Sequence, residues 1–131
     1  MKRLFSLAII LWAIVAGIAS CASAEVVISD NDTASILIQR GQEALDAGYY
    51  EAAIQYFEQA KTRPENDRGY ECNAEYEIGR TYYKWGRYAE AEECFKALLA
   101  KYDEPDAEAL PVEFKKLAEV ELQNISKKTG R

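Results

Sequence analysis

The chain contains no histidine among its 131 residues. That removes the commonest general base and the commonest metal ligand of protein sites. No C-x-x-C, G-x-S-x-G, G-x-G-x-x-G or Walker loop occurs either. Dithiol redox pairs, nucleophile elbows, dinucleotide cradles and P-loops are therefore excluded as readings. Proline is scarce, with three residues at 64, 105 and 111, so long intervals are free to be helical. Positive charge is in deficit: 16 basic residues face 22 acidic ones, for a net charge of −6. Such a body does not attract nucleic acid or anionic lipid. The carboxylates are scattered over what read as helix surfaces, the pattern of a solvated face rather than of an acid–base pair. The expectation is a protein that is not an enzyme and uses no cofactor, no metal and no nucleic acid.

What is present is an internal repeat. Sliding the chain by 38 residues superposes Gly41 on Gly79, Gly48 on Gly86, Tyr50 on Tyr88, Ala53 on Ala91 and Phe57 on Phe95. The first glycine of each copy falls inside a helix, where it costs roughly 1 kcal/mol relative to alanine. Close approach of a neighbouring helix would explain that cost. The second glycine suits a helix C-terminus, because it accepts positive φ cheaply. An alanine four residues before a phenylalanine sets a hole and a knob on one face of the next helix. Ile78, Tyr82 and Trp85 hold one face before Gly86, and Ala91, Phe95, Leu98, Leu99 and Tyr102 hold one face after it. Each copy is thus a helical hairpin.

The pattern resembles the tetratricopeptide repeat, W-x2-L-G-x2-Y followed by A-x3-F. Ile78-Gly79, Tyr82, Ala91 and Phe95 carry it in the second copy; Gly41, Ala53, Phe57 and Ala60 carry it in the first. The chain departs at Glu75, where the family prefers an aromatic, and at Arg40 and Ala44 in the first copy. The resemblance implies an all-α fold: a short right-handed α-solenoid of two helical hairpins, residues 34–67 and 72–105, closed by a capping helix over 111–126. Helices are expected from Asp32 or Thr33 to Gly48, over Tyr50–Lys61, Arg68–Trp85 and Tyr88–Tyr102, and over Val112–Ser126. The last would bury Phe114, Leu117, Ala118 and Leu122. Residues 127–131 read as a frayed tail.

Residues 1–20 read as a signal peptide: Lys2 and Arg3, an apolar run, then small residues. Ile18-Ala19-Ser20-Cys21 resembles a lipobox, which makes Cys21 the lipidated first residue of a membrane-attached protein. Ala22-Ser23-Ala24 is an alternative cleavage site that would release a soluble secreted or periplasmic protein. An uncleaved anchor is a third reading. All three place the domain outside the cytoplasm, in a bacterial cell envelope if the lipobox is used. Without residues 1–20, 14 basic residues face 22 acidic ones, a net charge of −8. Residues 21–31 read as a tether able to reach about 35 Å when extended, unless Val26, Val27 and Ile28 pack back on the domain. Cys72 and Cys94 lie on either side of the Gly86 turn with an axial mismatch of roughly 9–10 Å at 1.5 Å per residue, too far for a disulfide.

The family's groove is lined by the first helix of each hairpin, which implies a protein or peptide partner. At helical spacing the groove candidates are Ile38, Gln42 and Leu45 in the first copy and Tyr76, Arg80, Tyr83 and Lys84 in the second, with Lys115 and Glu119 added by the cap. Tyr76 and Tyr83 would supply amphipathic contact area, and Arg80 and Lys84 would hold an acidic group. Core packing of the two tyrosines is the competing reading. Two functions follow from different classes: an adaptor that helps assemble envelope complexes, or a homo-oligomeric structural protein pairing through Leu122 and Ile125 or through the groove.

Overall fold

The computed structural model describes residues 24–64 and 67–131. These form five α-helices and no strand: α1 Ala34–Asp46, α2 Tyr50–Lys61, α3 Arg68–Lys84, α4 Tyr88–Ala100 and α5 Val112–Thr129. The signal-peptide and Cys21 expectations lie outside the described residues.

Two hairpins, α1–α2 and α3–α4, stack in series, and α5 covers the second. Both turns are made as their sequences require. Gly48 and Gly86 sit at φ +82° and +81°, where other residues are strained. Thr33 caps α1 by accepting from the Ile36 N–H, and Asp67 caps α3 through Gly69 and Tyr70.

The helix-interior glycines mark the closest approach within each hairpin. A Cβ on Gly41 would lie 2.5 Å from Phe57 Cε1, and one on Gly79 would lie 2.6 Å from Phe95 Cε1. Each phenylalanine ring is fully buried and lies flush on the glycine of the facing helix. The Ala-x-x-x-Phe spacing therefore locks α2 onto α1 and α4 onto α3.

Two apolar clusters result. The first is built from Leu37, Ile38, Leu45, Phe57 and their neighbours, with Ala74 and Ile78 of α3 closing it. The second holds Tyr76, Phe95, Leu98, Ala118 and Ile125. Spacing relates them: α3 docks on the first hairpin through Ala74 and Ile78, and α5 docks on the second through Phe114, Ala118, Leu122 and Ile125. Leu117 was expected inside but is 41% exposed, whereas Ile125 is buried. Leu117 lies beside the docking face of α5 and Ile125 lies on it. Ile125 is buried and Leu122 is half-buried.

Three further expectations change. Residues 24–29 are not a free tether. They run extended along the first hairpin, with Ala24, Val26 and Ile28 packed on its cluster. The Val27 N–H donates to Tyr56 Oη at 3.2 Å, Arg40 donates to the Val27 carbonyl at 3.1 Å, and Arg63 donates to the Ser29 carbonyl at 3.0 Å. Residues 127–129, expected to fray, continue α5 to Thr129, where Gly130 closes the helix at φ +70°. The fourth helix ends at Ala100, and Lys101–Asp103 tightens into a 3-10 turn. Cys72 and Cys94 are free thiols in different surroundings, Cys72 within the second cluster and Cys94 against the first.

Departures from the repeat pattern have structural partners. Glu75 replaces an aromatic and takes Lys101 at 2.8 Å, with Glu71 binding the same ammonium at 2.6 Å. This clamp ties the turn after α4 back to α3. Burial disfavours the Lys101 cation, but the two carboxylates outweigh it and raise its pKa. Arg40, a second departure, binds Asp32 at 2.6 Å and the Val27 carbonyl, and so fastens the N-terminal segment.

Candidate functional site

The first helices of the repeats, α1 and α3, pack on each other, and α3 packs on α5; α2 and α4 have no comparable contact. The helices of the first set are therefore drawn together, and the stack bends toward them. Their open side is the inner face, where the groove residues were expected.

On α1 that face is polar. Ala34, Leu37, Ile38, Gly41, Ala44 and Leu45 form one wide buried stripe, because α1 is covered by α2, α3 and residues 24–28 together. Ile38 and Leu45 are consequently core side chains and not groove ones. Of the expected first-copy row, Gln42 alone reaches the surface, beside the exposed Gln39, Glu43 and Asp46.

Tyr76 is likewise interior. Its ring packs against Phe95 and Phe114 at centroid separations of 5.8 and 5.9 Å. The arrival of α5 on this side of α3 covers it. Burial pushes its phenol up to about 12, and the Glu121 carboxylate beside it acts in the same direction. Tyr83 is half-buried and meets Tyr88 edge-on at 5.4 Å.

Gln42 and Arg80 are half-buried and Lys84 is exposed, and each already has a partner. Glu77 organises the centre: Gln42 Nε2 donates to its Oε1 at 3.0 Å, and Arg80 Nη1 donates to both oxygens at 3.2 and 2.9 Å. Glu77 is 4% exposed, so this is a desolvated carboxylate satisfied by two side chains from different repeats. It fixes α1 against α3 and holds the guanidinium in place. Sequence reasoning missed Glu77; its spacing of three from Arg80 was the available signal. Lys84 Nζ reaches Asp46 Oδ1 at 3.2 Å in an open, water-exposed pair that is weak and readily exchanged.

The apolar part of the face comes from α5. Phe114 and Glu121 touch Tyr76 of α3, so Leu117 and Val120, next to them around the helix, border the inner face. Both are exposed, Val120 at 51%. Lys115 turns the other way, over the Tyr102 ring at 5.8 Å, and does not join the groove. The face thus runs from amides and carboxylates on α1, through the Arg80 and Lys84 cations on α3, to an aliphatic edge on α5. Chemically it can bind a segment with an acidic group and an apolar group side by side.

On the opposite side, between α2 and α4, lies a cavity of about 130 Å³ lined by Glu58, Lys61, Glu75, Ile78, Cys94, Ala97 and Leu98. Burial there pushes the Cys94 thiol up, away from the reactive thiolate.

A family model described as the tetratricopeptide repeat matches residues 34–67 and 76–100. No curated protein and no solved structure matches the chain.

Proposed function

The chain is a tetratricopeptide repeat protein, and from that premise we propose that it is an adaptor that binds a protein segment on its inner face. What carries this reading is the order of side chains on one side of the stack, the α3 cations Arg80 and Lys84 followed by the exposed Leu117 and Val120 of α5, which flank the Tyr76–Phe114 contact. Arg80 keeps its Nε and Nη2 edge free of Glu77, and the exposed Lys84–Asp46 pair can open to an incoming carboxylate. A partner segment with an acidic residue and a nearby aliphatic or aromatic one fits that order. The protein acts outside the cytoplasm, attached to a membrane by a lipidated Cys21, and presents the inner face to components of the cell envelope during their assembly. Support for the anchor is the lipobox-like Ile18–Cys21 stretch after an apolar run.

Photo-crosslinking in cells from positions 84 and 120, with position 51 on the exposed side of α2 as control, tests the binding face. Adducts to one partner from both inner-face positions and none from position 51 are expected. Capture from position 51 alone would place binding on the outer side. The intact mass of the mature protein tests the anchor: acyl chains on Cys21 are expected, and a chain starting at Glu25 would refute it.

A further inference from the structure

Both hairpin turns lie at the same end of the stack. Lys84 meets Asp46 there at 3.2 Å, and the Tyr50 ring stacks on Trp85 with centroids 5.6 Å apart and planes 19° from parallel. Tyr82 faces Trp85 at 6.3 Å, and the Arg87 guanidinium lies 5.1 Å from the Tyr82 centroid and 4.8 Å from that of Trp85. Tyr49, 40% exposed, stands beside them. Aromatic rings with a polar tip, together with lysine and arginine, are the side chains that settle at a bilayer–water boundary. The acids at this edge, Asp46 and Glu90, are paired with Lys84 and Arg87, and Glu51 adds a negative charge. The edge therefore suits a zwitterionic headgroup layer and not an anionic one.

The docked N-terminal segment leads to this end. Its Ser29 carbonyl is held by Arg63, just past the end of α2, and its Val27 is held by Arg40 and Tyr56, halfway along the hairpin. Ala24, Val26 and Ile28 alternate as the packed positions, the spacing of an extended segment, so Ala24 falls about 10 Å beyond Val27 toward the Gly48 turn. Only Ala22 and Ser23 separate Ala24 from Cys21, and three residues of chain span at most about 11 Å.

We propose that the turn end of the solenoid, with Tyr49, Tyr50, Trp85 and Arg87, is a membrane-facing edge that rests on the headgroups of a zwitterionic bilayer when Cys21 is anchored. The inference rests on the lipid-anchor reading above. With the segment docked, so short a link keeps its end at Ala24 within about 11 Å of the Cys21 backbone. The hairpins then stand on the membrane with their axes directed outward, and the inner face is presented sideways to partners in the same membrane.

Trp12 lies in the leader, so Trp85 is the single tryptophan of a chain starting at Cys21. The experiment uses that chain on phosphatidylcholine vesicles containing a nitroxide-headgroup phosphatidylcholine. Where the purified protein carries acyl chains, it is used as it is. Where it does not, Cys21 is coupled to a maleimide phospholipid in a Cys72→Ala, Cys94→Ala background, so that failure of the anchor reading and failure of the edge are told apart. Trp85 emission is expected to fall relative to vesicles without nitroxide. A second reporter, Tyr70→Trp with Trp85→Phe, sits at the far end of α3, about 22 Å along the axis at 1.5 Å per residue; its emission should not change. Equal quenching of both reporters would mean that the domain tumbles on its anchor. Absence of quenching at Trp85 would mean that the edge is held off the surface. Either result overturns the proposal.

Discussion

Replacing Gly79 with alanine isolates the contact on which each hairpin depends. A methyl at this position would sit 2.6 Å from Phe95 Cε1 and 2.8 Å from Cζ, whereas carbon pairs prefer about 3.5–4.0 Å. The ring would have to retreat by about 1 Å to restore contact. It has little room to do so, because Phe95 is fully buried and its ring is also packed against Tyr76. Overpacking of this kind costs about 1–3 kcal/mol, and the better helix propensity of alanine offsets about 1 kcal/mol of it. A net loss of about 0–2 kcal/mol is expected, read from urea unfolding followed by helical circular dichroism. Phe95→Leu withdraws the ring edge, so adding it to Gly79→Ala should cost less than the sum of the single changes by about 1 kcal/mol or more. Gly41→Ala, facing Phe57 at 2.5 Å, should behave alike. If Gly79→Ala proved stabilising, or if the two changes were additive, the close-approach explanation of the repeat would be wrong.

Other perturbations separate the remaining contacts. The Ser29 N–H and the Arg40 guanidinium hold the Asp32 carboxyl below its ordinary 3.8. Its stabilisation is therefore full above that value and is lost as pH falls through the lowered one; Asp32→Asn should remove this acid limb and speed hydrogen exchange at Val27. Tyr76 is raised to about 12, so the native state keeps a proton that the unfolded chain loses near pH 10. Stability should fall between about pH 10 and 12, and Tyr76→Phe should flatten that fall in alkaline unfolding curves. Glu77→Ala strips Gln42 and Arg80 of their shared acceptor; it should cost about 1–2 kcal/mol, discounted because Arg80 is partly solvated, and should lower crosslinking from position 84.

Residue by residue, the sequence was most informative where local chemistry and packing agree. The turn glycines, Gly48 and Gly86, could be placed because few other residues tolerate positive φ. The pairs Gly41–Phe57 and Gly79–Phe95 could be placed because a helix-interior glycine needs a large side chain opposite it. Helix spans followed from apolar periodicity. The groove was far less legible. Tyr76 has the right helical phase to face a partner and is amphipathic enough to do so; only the landing of α5 on α3 makes it core. Ile38 and Leu45 share that ambiguity, since a helix covered on three sides buries a stripe wider than its own pattern announces.

By itself the sequence determined the family, the two hairpins and their turns, because these arise from steric demands between residues close along the chain or one repeat apart. Tertiary structure decided the rest. Glu77 became the centre of the inner face because Gln42 reaches it from the neighbouring repeat. Leu117 became surface and Ile125 core because α5 settled in one rotational setting of several open to an amphipathic helix. Arg40 and Glu75, which look like flaws in the repeat, became the residues that fasten the N-terminal segment and the turn after α4. Such long-range pairings depend on where helices meet in space, and no local periodicity encodes that.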